Sequence, residues 1–168
     1  MKFIDILVLI ILYFICFYKK WLLKGTKTLL INTIFYIYII GVLYFTLMPV
    51  ITNLPFIFNH PYGHMNMNLF ADLKFGRGDF VRQLVLNVIM MIPFGFLFPL
   101  VKKQKCNFII TILSAFLFSL SIELLQPLIN ASRSSDITDL VTNIIGSIIG
   151  YLIYLLALPL LKRIKYHL

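Results

Sequence analysis

"FIITILSAFLFSLSIELLQ" (Phe108–Gln126), "PLINASRSSDI" (Pro127–Ile137) and "TDLVTNIIGSIIGYLIYLLALPLL" (Thr138–Leu161) follow one another in this chain. The first and last are apolar and long enough for a helix to cross the roughly 30 Å of bilayer hydrocarbon, which takes about 20 residues. The middle piece is short and carries Asn, Ser, Arg and Asp. The three together read as two membrane helices joined by a tight polar hairpin. The polar residues inside the spans sit at helical spacing. Ala115, Ser119, Glu123 and Gln126 follow one another at four, four and three. Asp136, Asp139, Asn143, Gly146 and Gly150 follow at three, four, three and four. Each set lines one helix face.

The same reading extends outward. Gln83–Val101, Thr28–Met48 and Phe3–Tyr18 are further apolar segments, the last reaching Leu23 if Lys19 and Lys20 snorkel. The fold class expected is an all-α integral membrane protein of about five transmembrane helices. Residues 1–82 form two N-terminal helices and an external loop, 83–161 a three-helix core, and 162–168 a basic tail. Composition agrees: 61% hydrophobic and 12% charged residues, with a mean hydropathy of +0.96, leave too few polar side chains to coat a soluble domain of 168 residues.

A net charge of +9 invites a nucleic-acid reading, but the basic residues fall in short runs between apolar spans, not in a patterned groove. Lys19, Lys20, Lys24, Lys27, Lys102, Lys103, Lys105, Lys162, Arg163 and Lys165 share one side of the alternating topology, with no acid among them. Lys2, Lys74, Arg77, Arg82 and Arg133 share the other, mixed with Asp5, Asp72, Asp79 and Asp136. The positive-inside rule then places the N-terminus outside and the C-terminus in the cytoplasm. The first span reads as a retained helix, because its positive charges follow the apolar run and no small-residue cleavage site appears. Cys16 and Cys106 are far apart, match no metal spacing and fall on the cytoplasmic side, where thiols stay reduced.

The external segment Pro49–Arg82 is punctuated by Pro55, Pro61, Gly63, Gly76 and Gly78 and carries Phe56, Phe58, Tyr62, Phe70, Phe75 and Phe80. Such a loop is expected to lie in the interface or to cap the bundle. "HPYGH" (His60–His64) is no helical zinc motif, since Pro61 and Gly63 break the geometry. No metal and no cofactor are expected.

Glu123 lies about a turn inside the membrane, where an acid is costly and faces the bundle interior with a partner. Asn87 enters from the outer side on the helix interrupted by Pro93. Asn87, Glu123, Gln126, Arg133, Asp136, Asp139 and Asn143 are therefore expected to gather at the outer face, with Arg133 as the cation for the acids. The cluster reads as a recognition site for a polar or charged headgroup, with an ion-pair network that fixes the hairpin as the plainer alternative. Gly146 and Gly150 suit close helix contact, within the chain or in a homo-oligomer.

Three pieces of the chain, "NVIMMIPFGFLFP" (Asn87–Pro99), "SIELLQ" (Ser121–Gln126) and "RSSDITDLVTNIIGSIIGY" (Arg133–Tyr151), resemble the VanZ-like family in order and spacing, over about 70 residues. Asn87, Pro93 and Gly95 match the first motif, Glu123 and Gln126 the second, and Arg133, Asp136, Asp139, Asn143, Gly146 and Gly150 the third. Met91 stands where an aromatic is usual, and Thr138 where the acid is often doubled. The resemblance implies a bacterial plasma-membrane protein linked to resistance to the glycopeptide teicoplanin. It implies no particular biochemical activity. One expectation is an envelope protein that binds a lipid, a lipid-linked wall precursor or a lipoglycopeptide at the outer leaflet. A second is an intramembrane enzyme on a lipid-linked substrate, with Glu123 and Asp136 as acid and base. A third is an accessory subunit of a membrane complex.

Overall fold

The structure is a computed structural model that describes residues 2–70, 79–103, 106–131 and 133–166, with side chains as far as Leu161. Asp72, Lys74, Phe75, Gly76, Arg77 and Gly78 of the external segment, Lys105, and the side chains of Lys162, Arg163 and Lys165 lie outside the described residues.

The N-terminal helical run consists of α1 (Phe3–Leu12), a π-helical stretch (Tyr13–Tyr18) and α2 (Lys19–Leu22) in direct succession. Then come α3 (Thr26–Thr46), a 3-10 turn (Leu54–Phe56), α4 (Phe80–Lys102), α5 (Phe108–Ile129) and α6 (Ile137–Tyr166). The chain is all-α, as the hydropathy pattern predicts. α3, α4, α5 and the Ile137–Leu161 part of α6 are each long and apolar enough to span a membrane. Helix is the form that satisfies every backbone N–H and C=O inside hydrocarbon without water. α4 continues through Pro93 and Pro99, and α5 through Pro127.

Burial runs opposite to that of a water-soluble protein. Thr111, Ser119 and Ser147 are fully buried, while Leu156 is 79% and Ile109 71% exposed. Large apolar side chains face outward, where lipid takes the place of water, and small polar ones sit where helices meet.

The described chain divides into two compact units that interleave in sequence. The first comprises Met1–Leu69 and Leu120–Ile137, the second Phe70–Ser119 and Thr138–Leu168. α5 gives its first half to the second unit and its second half to the first.

In the first unit the N-terminal run packs on α3. Tyr13 Oη and Thr33 Oγ1 share a hydrogen bond of 2.7 Å, and Tyr36 Oη donates to Leu9 O at 2.8 Å. The Tyr13 ring lies 5.4 Å from Tyr36 and 5.9 Å from Trp21, and Phe17 stacks on Trp21 at 5.0 Å. At the other end, Lys2 Nζ donates to Tyr44 O at 3.0 Å and sits 4.3 Å over the Tyr44 ring.

In the second unit α6 lies against α4 at backbone distance. A Cβ at Gly146 would overlap the carbonyl of Val88, one at Gly150 the carbonyl of Ile92, and one at Gly95 the carbonyl of Ser147. The glycines thus do what the small-residue spacing predicts, inside one chain. Within the chain their faces are occupied by α4. Phe94 stacks on Phe98 at 5.2 Å and on Phe118 of α5 at 5.4 Å, which ties α4 to α5.

Candidate functional site

The seven residues marked by the sequence fall into two polar groups, one in each unit. Glu123, Gln126, Arg133 and Asp136 belong to the first unit, and Asn87, Asp139 and Asn143 to the second.

In the first unit α5 ends at Ile129, and the hairpin returns through Asn130–Asp136 to the start of α6. Glu123 is 2% exposed. Its Oε2 accepts a hydrogen bond from Asp136 N at 3.1 Å, and its backbone carbonyl accepts one from the buried Ser135 hydroxyl. Asn66 of the segment between α3 and α4 closes the arrangement. It forms an isolated parallel β-bridge with Asp136: Asn66 N donates to Ser135 O, and Ile137 N donates to Asn66 O. Asn66 Nδ2 also donates to Asp136 Oδ2 at 3.0 Å. The buried Glu123 thereby helps to order the turn.

Arg133 sits differently from the expectation. Its side chain is exposed, and its Nη1 donates to Thr46 O at 3.1 Å. Among the described residues it forms no ion pair with Glu123. The reason is local: Thr46 ends α3, and the last carbonyls of a helix lack intrahelical partners and carry partial negative charge. A guanidinium there gains an acceptor without having to be desolvated beside a buried acid.

Beside Arg133 lies a small cleft of about 40 Å³ with Thr46, Asn53, Gln126 and Asn130 among its walls. Asn53 is fixed by its own hydrogen bond, Nδ2 to Ile129 O at 3.0 Å. A cleft of this size takes a water or one polar group of a larger molecule. Three amide residues, Asn53, Gln126 and Asn130, and the arginine Arg133 are thus among its lining, residue types suited to an oxygen-rich headgroup.

In the second unit Asn87 Nδ2 donates to Asp139 Oδ1 at 2.7 Å, linking α4 to α6. Asn143 is 2% exposed, and its Nδ2 donates to Ser119 Oγ at 2.8 Å, linking α6 to α5. Its Oδ1 is buried with no hydrogen-bond partner among the described residues. These contacts are interhelical hydrogen bonds of the kind that hold membrane helices together.

Two residues escaped the sequence reading. Asn66 sits among aromatic loop residues with no local pattern to mark it. Asp5 weakens the first helix as a span, yet it is 4% exposed and its Oδ1 accepts from Val50 N at 3.2 Å and Ile51 N at 2.8 Å. It anchors the turn after α3 to the first helix. The one signal available was that an acid inside an apolar helix needs a partner.

The family model described as VanZ/LLP1 matches residues 35–158, which takes in the second half of α3, the segment after it, α4, α5 and most of α6. The chain is also similar to Protein VanZ of Enterococcus faecium, 30% identical over 118 residues that cover 70% of this chain and 69% of that protein. No solved structure matches. A match over most of the chain, on an all-α scaffold with membrane-length apolar helices, makes this a multi-pass membrane protein that belongs to the VanZ/LLP1 family.

Proposed function

We propose that this protein lowers the susceptibility of a bacterial cell to teicoplanin-like lipoglycopeptides by binding the polar headgroup of an amphiphile at the outer face of the plasma membrane. The candidate ligands are a lipid, a lipid-linked wall precursor or the lipoglycopeptide itself. The N-terminus lies outside and the C-terminus in the cytoplasm. The observation that carries the reading is the exposed Arg133 guanidinium beside a cleft walled by Asn53, Gln126 and Asn130. A guanidinium surrounded by amides can hold phosphate, carboxylate or sugar oxygens. Glu123, Ser135, Asp136 and Asn66 hold the hairpin that presents Arg133. Asn87, Asp139 and Asn143 keep α4, α5 and α6 in register. The exposed loop aromatics Phe56 and Phe58 suit the apolar part of an amphiphile.

The engagement of Glu123 with backbone and of Asp136 with Asn66 supports binding over acid/base chemistry. Expression in a susceptible Gram-positive host is expected to raise tolerance to teicoplanin more than to vancomycin. Arg133→Gln is expected to abolish most of that gain while the protein still accumulates in the membrane, and Arg133→Lys to restore part of it. Full tolerance from Arg133→Gln at equal protein level would remove the cleft from the account.

A further inference from the structure

We infer that the protein has a second ligand site, a groove at the end of α3 remote from Thr46, which takes one anionic phospholipid. The groove has a volume of about 500 Å³ and is lined by Tyr13, Thr26, Lys27, Leu29, Leu30 and Thr33, all in the first unit. Its two ends differ in chemistry. Leu29 and Leu30 form apolar walls one turn into α3. Thr26 and Lys27 stand at its mouth, on the exposed first turn of α3.

The shape comes from the elements around it. Gly25, at φ 99°, turns the chain sharply from α2 into α3, a backbone conformation that suits glycine. The π-helical stretch Tyr13–Tyr18 widens the N-terminal run where it faces α3. Tyr13 is fixed in place by Thr33 at 2.7 Å and by the Tyr36 and Trp21 rings. The Tyr13 and Thr33 side of the wall is therefore held in place.

Charge selects the occupant. Lys27 is the one basic residue in the lining, and no acid occurs between Asp5 and Asp72. An ammonium and a hydroxyl at the mouth, with leucines below, complement a phosphate headgroup with an acyl chain. A zwitterionic lipid would gain the apolar contact but lose much of the charge term, because its own cation offsets the phosphate. One lysine close to an anionic surface is worth about a fivefold change in binding.

The test uses the full-length protein in detergent, equilibrated with equal amounts of phosphatidylglycerol and phosphatidylcholine and read by native mass spectrometry. One retained phosphatidylglycerol is expected, favoured about fivefold over phosphatidylcholine. Lys27→Gln should bring the two lipids to near parity with helical content unchanged, and Lys27→Arg should keep the preference. The paired change Lys19→Gln and Lys20→Gln, outside the groove, should also keep it. Equal retention of both lipids by the native protein overturns the inference. So does a preference that survives Lys27→Gln, or one that is lost equally on changing Lys19 and Lys20, since bulk charge would then be the cause.

Discussion

If Glu123 and Arg133 serve different partners, their stabilities must add. Glu123 Oε2 meets Asp136 N at 3.1 Å, whereas Arg133 Nη1 meets Thr46 O at 3.1 Å. Glu123→Gln keeps an acceptor oxygen for Asp136 N but removes the charge-assisted bond in a buried setting, at a cost of about 1–3 kcal/mol. Arg133→Gln removes one hydrogen bond at an exposed position, at a cost of about 0.5–1.5 kcal/mol. Changes with no shared partner usually add to within about 0.5 kcal/mol. The double variant should therefore be destabilised by the sum, measured as thermal unfolding of purified protein in detergent against both single variants. An ion pair predicts the opposite: each single change would leave a lone charge, and the double would be no worse than either. A coupling energy above about 1 kcal/mol, with the double variant more stable than additivity allows, would refute the assignment.

Further outcomes follow from the same contacts. Gly150→Ala forces a Cβ into the Ile92 carbonyl and should cost about 1–3 kcal/mol of thermal stability. Gly41→Ala, with nothing within 4 Å of its Cβ, should be neutral or stabilising by up to about 1 kcal/mol, so equal effects would dismiss the close α4–α6 packing. Asp5→Ala strips the acceptor from Val50 N and Ile51 N at about 1–3 kcal/mol for each donor left unsatisfied, and Asp5→Asn should lose less. Protease cleavage after α3 that stays unchanged in Asp5→Ala would show that the turn is held by something else. For topology, Ser134→Cys in a variant lacking Cys16 and Cys106 should react with an impermeant thiol reagent in intact cells, and native Cys106 only after lysis. Labelling of Cys106 in intact cells would invert the orientation.

Four of the five expected spans were legible as long apolar helices, because a bilayer leaves one solution for a run of about 20 apolar residues, whereas the N-terminal run is divided into shorter helical pieces. Local spacing also carried the helix–helix contacts: Gly146 and Gly150 lie on one face, and that face meets α4. Asn87 and Asp139, marked from separate helices, prove to be hydrogen-bonded at 2.7 Å. Contacts made by loops were not legible. Asn66 reaches Asp136 across 70 residues and Asp5 reaches Val50 across 45. Neither pairing has a period, so hydropathy and spacing hold no record of it.

Arg133 shows a different failure, one of physics applied to the wrong partner. Opposite charges around a short hairpin suggest an ion pair, and Arg133 is the only basic residue in that hairpin. The competitors are helix ends, which carry charge without carrying a charged residue. Thr46 O terminates α3 with partial negative charge, and Arg133 answers it; Asp136 N stands just before α6 with partial positive charge, and Glu123 answers that. Each of these two contacts thereby joins an ionisable group to a fixed backbone dipole. The arginine consequently stays exposed at the cleft rather than being consumed inside the bundle. A guanidinium neutralised by a buried carboxylate would have little left to offer a phosphate, whereas one steadied by a single carbonyl keeps most of its donors and its full charge for a ligand. The same arrangement that defeats the pairing read from the sequence leaves Arg133 exposed, as the proposed headgroup site requires.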